Sequence, residues 1–448
     1  MSSFIFAVLA ILVLGIFFGL VFFTKEHKNS VYIKFVLLAL PLLAIDLFPS
    51  FVSITIFDFI TFIYFFVFYK PRKKQVENAA LYLLIFFVLT ILILFGAYQA
   101  DSLTRDTTTA FIQFFSIACF VKILSEECMA DNTFSDSVVF CLKITLIVSL
   151  LFLAGQFVFG TSFSIARSQN INVYGGLSTR YPSFFQDPQK YAQFLAAVSF
   201  LFLIKGRQTN KVSLINYLLL LCTLVAIMFT GGRAAFGGWC VGVFIILVFG
   251  ESKYRVATIF VASLLFVIVY NFSESFAMFQ RADLSESYEF RHAIWQDAFR
   301  IFKEHPLFGI GIGNYANYVS VHNPDQYWLA ENEFTYFDHP ESGYLKVLTE
   351  LGAIGFLLIL FIILFPIMIG FKTYLKNKDT TILLLIAALT SWMVGFYTVY
   401  SLGDSRIKIL VATIICLLVS INKSAIDYDK ERFFTTNDDV SKRQGFLK

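Results

Sequence analysis

Charge is scarce in this chain of 448 residues, where Asp, Glu, Lys and Arg make up only 15% against about 25% in globular proteins. With 58% hydrophobic residues and 56 Phe, too little polar surface remains to face water, which excludes a soluble enzyme. Cysteine is sparse as well. All six (Cys119, Cys128, Cys141, Cys222, Cys240, Cys416) lie in or beside apolar segments and none falls in the polar stretch 272–342, so neither a disulfide framework nor a zinc site is expected. There is no P-loop, no His-Glu-x-x-His and no Gly-x-Ser-x-Gly elbow. The formal charge of +4, from 35 basic and 31 acidic residues, is too small and too scattered for a nucleic-acid partner.

What the chain has in abundance is apolar runs. They fall at about 3–23, 31–47, 50–69, 79–97, 107–124, 136–159, 189–204, 212–229, 234–250, 255–272, 343–371, 380–400 and 405–421, many near the ~20 residues that cross a bilayer as a helix. The expected fold is an all-α, polytopic membrane bundle of 12–13 transmembrane helices embedded in lipid. Pro41, Asp46 and Pro49 interrupt the second and third runs, and a shallow hairpin there would reduce thirteen to twelve. The amino terminus has no basic n-region and no small-residue cleavage site, and is read as a retained first span.

Basic residues in short connections mark the cytoplasmic side. Lys70, Arg72, Lys73 and Lys74 form one group, Lys205, Arg207 and Lys211 another, and Lys372, Lys376 and Lys378 a third. All three share a side when thirteen spans are counted off. The opposite side receives a connection of about 70 residues, a length that usually signals function, with four basic residues against eleven acidic. Five segments follow: 1–159 and 160–271 (transmembrane), 272–342 (external loop), 343–421 (transmembrane) and 422–448 (cytoplasmic tail). Within the loop, apolar spacing over Ser285–His305 predicts an amphipathic helix ending at His305-Pro306, followed by a glycine-rich bend, Gly309 to Tyr315. That bend lacks the third glycine and the strand-turn-helix setting of a dinucleotide site.

Four external residues stand out because their charge sits where a membrane-anchored anion can reach: Arg180, Arg233, Arg291 and His339. Each has a plainer role open to it. An Arg near a span end often snorkels to the interface. Gly231, Gly232, Gly237 and Gly238 around Arg233 suit close helix packing. Arg291 has Glu286, Glu289 and Asp297 as possible partners on a solvated helix face. His339 lies beside Asp338 and Glu341, either of which would orient its imidazole. Asp58 and Lys143, deep in predicted spans, read as isolated, which argues against a proton-coupled transporter.

FRHAIWQDAFRIFKEHPLFGIGIGNY followed by HPESGYLKVLTELGAIG resembles the signature of the O-antigen ligase and polymerase superfamily of bacterial membrane glycosyltransferases. RYPSFFQDPQKYAQFLA and TGGRAAFGG resemble, more weakly, that family's external Arg segment and its Ser-Arg-small motif. Here Gly232 replaces the Ser, and Glu341 and Ser342 stand where many relatives have a second His or an Asn. The signature covers about a quarter of the chain.

The resemblance implies transfer of a glycan from an undecaprenyl-diphosphate carrier at the outer face of the inner membrane, without metal or other cofactor. The acceptor would be another glycan or a lipid A core, and a chain-length regulator is a candidate partner. By that resemblance Arg180 and Arg291 would bind the diphosphate and His339 would be the base. Arg233, Glu341 and Tyr315 are candidate substrate-binding residues, and the aromatics Tyr315, Tyr318, Tyr327, Trp328 and Tyr336 candidates for stacking on sugars. Polymerase is preferred slightly over ligase. Transfer to protein hydroxyls, or a lipid-linked oligosaccharide flippase, are the competing readings.

Overall fold

The computed structural model describes residues 3–47, 52–72, 79–99, 104–131, 133–165, 179–205, 213–280, 284–322, 328–330, 333–335 and 339–422. Every apolar run forms helix. The elements are α1 (Ser3–Phe23), α2 (Lys28–Leu38), α3 (Leu40–Leu43), α4 (Ile56–Ile63), α5 (Ala79–Gln99), α6 (Arg105–Ala130), α7 (Phe134–Phe159), α8 (Pro188–Ser199), α9 (Leu214–Thr230), α10 (Arg233–Phe249) and α11 (Ser252–Phe272). They continue with α12 (Ala277–Gln280), α13 (Leu284–Glu304), α14 (Tyr315–His322), α15 (Gly343–Asn377), α16 (Thr380–Phe396) and α17 (Ser405–Asn422).

Five helices among the described residues are long and apolar enough to cross a membrane (α6, α7, α11 with its short extension, α15 and α17), and six shorter apolar helices accompany them. Large apolar side chains point outward, Ile11 at 70% exposure and Phe266 at 71% among them, an arrangement stable only against lipid. The protein is an all-α, polytopic membrane protein. The doubtful second and third runs are short: α2 has 11 residues and α4 has 8, and a bridge between Asp46 and Thr55 closes them into a hairpin.

The core gathers around α8, α10, α16 and α17, where Tyr191, Phe194, Ala387 and Ile414 are fully buried. A Cβ on Gly238 would lie 2.2 Å from the Ser391 carbonyl oxygen, so α10 and α16 meet backbone to backbone. The expected isolation of Asp58 and Lys143 does not hold. Asp58 accepts from the Thr55 hydroxyl at 2.7 Å and from Ser116, while Lys143 donates to the Ile204 carbonyl at 2.7 Å. Periodicity locates a residue on its own helix but not the residue that faces it.

The long loop is built as its pattern predicts at two points and departs at a third. Helix α13 ends where His305-Pro306 stops it, and buries Ala298 and Ile301 against Ile310, Tyr315, Tyr318 and Val319. The bend after it docks into a break in α15. Gly352 has φ 64° and ψ −172°, and the severed helix turns bond the loop instead. Ile310 N donates to Thr349 O (3.0 Å) and Gly311 N to Glu350 O (2.9 Å), while Ala353 N donates to Pro306 O (2.8 Å). Gly309 (φ +69°) approaches so closely that a Cβ would lie 2.5 Å from the Glu350 carbonyl. The glycines serve backbone docking, and the exchange satisfies groups that a broken membrane helix would otherwise leave bare. Asn314 completes the seat, accepting from Thr104 (2.9 Å) and Thr107 (2.6 Å) at the start of α6.

The departure is a two-stranded antiparallel hairpin, β1 (Trp328–Ala330) and β2 (Glu333–Thr335), with Trp328 opposite Thr335, which the sequence analysis did not foresee. Trp, Phe and Thr flanking a two-residue connection were its available signal.

At the foot of α13 the Tyr318 hydroxyl donates to Glu304 at 3.0 Å, and His305 Nε2 lies 3.1 Å from the same oxygen. Burial, with the nearby carboxylate, lifts the Tyr318 phenol to about 12. Burial holds the His305 imidazole below its ordinary 6.5, Glu304 opposing and His322 assisting. A group with a depressed folded pKa contributes stability above its unfolded value and loses it as pH falls through the folded one. Protection of the amides across 309–318, the exchange rate taken relative to the intrinsic rate at each pH, is therefore expected to fall from pH 7.5 to 5.5, and His305→Gln to remove most of that dependence. An identical pH response in the variant refutes the assignment to His305.

Candidate functional site

The residues singled out in the sequence fall into two groups at the same end of the bundle. In the first, the loop that carries Arg180 is clamped by Gln156, whose side chain donates to Ser183 O at 2.8 Å and accepts from Ser183 N at 2.9 Å. Arg180 is 4% exposed, so it is no snorkelling anchor, and its Nε donates to Thr230 O at 2.8 Å. Thr230 ends α9, and three residues later Arg233 opens α10 and donates from Nε to Met278 O at 3.2 Å. Both guanidiniums are thus tied to the short turn 230–233 and to α12, the step that leads into α13.

In the second group, Arg291 and His339 converge on one carboxylate. Arg291 Nη2 lies 3.7 Å from Glu341 Oε2, and His339 Nε2 lies 3.6 Å from Glu341 Oε1. These separations are ion-pair distances, wider than good hydrogen bonds. All three side chains are between about a fifth and a quarter exposed, which leaves room for a ligand. The partners expected for Arg291 on its own helix are not the ones found. Asp297 pairs with Arg300 at 3.0 Å, while Glu286 and Glu289 belong to side chains outside those described. Asp338, the other candidate orienter, also lies outside the described residues. Glu341 has φ 47°, a costly left-handed conformation for a residue with a Cβ, and this sharp turn after Pro340 swings its carboxylate between helix and imidazole.

The connection 397–404 links the groups. The Tyr400 ring lies 6.3 Å from that of His339. Arg406 donates to the Phe184 carbonyl at 2.6 Å and to both oxygens of Asp404 at 2.8 and 2.6 Å, pinning the Arg180 loop to the head of α17. Sequence reasoning missed Asp404 and Arg406; a charged pair two apart at a span's start was the signal.

Tyr315 is not part of this exposed surface. It is 1% exposed, its backbone N–H donates to Glu350 at 3.3 Å, and Lys346 Nζ lies 6.0 Å from its ring centre. Burial and the carboxylates of Asp297 and Glu350 raise its phenol pKa further. Tyr318, 6% exposed, is also packed away, and the side chains of Tyr327, Trp328 and Tyr336 lie outside those described. Lys346 itself pairs with Glu350 at 3.2 Å and sits 4.9 Å from the Tyr400 ring centre.

The bundle thus presents a guanidinium, an imidazole and a carboxylate together at one end. Residues 218–360 match the model of the family described as O-antigen ligase, which supports membership of the O-antigen ligase/polymerase superfamily. The match spans α9 through the first part of α15. It includes Arg233, Arg291, Tyr315, His339 and Glu341, and leaves Arg180 outside. None of the curated proteins matches the chain. An O-antigen ligase/polymerase type of function, and activity of the glycosyltransferase kind, accordingly have independent support.

Proposed function

We propose that the protein transfers a glycan from an undecaprenyl-diphosphate carrier to an acceptor hydroxyl, without a metal and with inversion, at the outer face of the bacterial inner membrane. The observation that carries this reading is the sharing of Glu341 by Arg291 and His339 inside the family-matched segment. As the bond between the anomeric carbon and the diphosphate breaks, its electron pair passes to a phosphate oxygen. Planar guanidinium donors stabilise that developing charge, the role assigned to Arg291 and Arg180, with Arg233 beside the latter.

The acceptor oxygen attacks from the opposite face and gives its proton to His339. Glu341 faces Nε2, so the tautomer it favours carries the proton there and leaves Nδ1 as the base. The outward orientation rests on the Lys and Arg of the opposite connections and on the net −7 of the loop counted above.

Purified protein supplied with lipid-linked donor and a glycan acceptor is expected to release undecaprenyl diphosphate. The absence of release with both substrates present refutes the reading. Within it, polymerase remains preferred over ligase. Deletion is then expected to leave single repeat units on the lipid A core in gels of surface polysaccharide, whereas loss of all capped core assigns the protein as a ligase. A flippase would instead use ionisable groups near mid-membrane. Those described there, Asp58, Lys143 and Lys408, are bound by Ser116, the Ile204 carbonyl and Gln113 respectively, which favours a structural role.

A further inference from the structure

Arg291 and Trp295 are one turn apart on α13 and so share a helix face. The Trp295 ring packs edge-on against Tyr397 at 5.8 Å between centres. Tyr397, 54% exposed, stands three residues before Tyr400, whose ring lies 6.3 Å from His339. His339 and Arg291 meet at Glu341. Guanidinium, carboxylate and imidazole are therefore neighbours in space, and Tyr400, Tyr397 and Trp295 continue the series from His339 back to α13. The Trp295 indole N–H is buried with no hydrogen-bond acceptor among the described residues, an unfavourable state for a polar group.

We propose that Trp295, Tyr397 and Tyr400 form a binding subsite for the pyranose ring joined directly to the carrier diphosphate. The proposal rests on the function proposed above and deepens it. A pyranose has apolar C–H faces and a rim of hydroxyls. Aromatic rings offer flat apolar contact with a polar handle, and a donor without a partner is satisfied by a sugar hydroxyl at no competing cost. Arg291, one turn away, places the diphosphate beside that ring, and His339 meets Arg291 at Glu341. Tyr315 and Tyr318, expected from the sequence to stack on sugar, are sealed in the α13–α14 core and cannot do so. The exposed Tyr397 and the partly buried Tyr400 of the 397–404 connection take that place.

The test compares two probes on the solubilised full chain: lipid-linked glycan extracted from the producing cells, and undecaprenyl diphosphate, which has no sugar. In Trp295→Phe, which keeps a ring and removes the N–H, the KM for the glycan donor is expected to rise about tenfold, with a smaller change in kcat. Inhibition by undecaprenyl diphosphate is expected to stay within twofold of wild type. Tyr397→Ala is expected to show the same split.

A donor KM unchanged in both variants overturns the subsite and leaves the proposed reaction standing. Equal weakening toward both probes also overturns it, since the aromatics then serve the diphosphate or the fold. Failure of the wild-type protein to turn over the donor at all is a different result, and it refutes the reaction itself.

Discussion

Replacing His339 with alanine is expected to lower glycan transfer by about 100-fold or more, the range of a positioned general base. The imidazole is partly exposed, with Glu341 and the Tyr400 ring beside it, so its loss removes chemistry without opening a buried cavity. Arg291→Ala is expected to lose about 100-fold or more through the leaving group. Arg291→Lys is not expected to restore it, because an ammonium lacks the planar fork that grips two phosphate oxygens. Glu341→Gln should act differently, lowering the rate by less than either alanine variant, as expected of a residue that works by positioning the imidazole. Release of undecaprenyl diphosphate, followed over time with purified protein, measures all four variants. Full turnover by the His339→Ala or Arg291→Ala protein sinks these assignments.

The second large effect is expected away from the reacting groups. Glu350 and Lys346 pair at 3.2 Å with side chains 3% and 10% exposed, and the same carboxylate accepts from the backbone of Tyr315. Glu350→Ala removes the carboxylate facing a largely buried ammonium and the side-chain acceptor of the Tyr315 N–H, while the backbone bonds of the docked bend remain. Removing one member of such a pair typically costs about 3–5 kcal/mol. Thermal unfolding in detergent is expected to show a marked fall in midpoint, and Lys346→Met combined with Glu350→Leu to recover most of it, since replacing both charges with apolar groups is often neutral. If the single variant keeps its wild-type midpoint, the pair is not what holds the loop.

Much of this was legible in the sequence because each signal was local. Thirteen apolar runs became helices since hydrophobic length alone decides what lipid will accept. The stop at His305-Pro306 and the extent of α13 followed from proline sterics and 3.6-residue periodicity. Arg291, His339 and Glu341 stood out by residue type and position, and the structure brings them together. What escaped was non-local. Helical spacing offered Arg291 Asp297 among its acidic neighbours, yet Asp297 pairs with Arg300 and Arg291 meets Glu341, on the far side of α14 and the hairpin. Tyr315 reads as an interfacial aromatic until α13 is folded over it. The break at Gly352 is hidden by the unbroken apolar run around it, because its cause lies some forty residues upstream in the glycines that replace its missing bonds. Trp295 drew no notice because a tryptophan in an amphipathic stretch ordinarily packs into the core.

The docking of the glycine bend into α15 also dictates an order of events during synthesis. Ile310 and Gly311 donate to carbonyls at positions 349 and 350, and Ala353 donates back to Pro306. The bend therefore waits, unseated, until the ribosome has delivered the following span. Any nascent chain arrested before that point displays the arginine of α13 without its Glu350-side seat, so this end of the protein stays unfinished until the third helix from the end has been delivered.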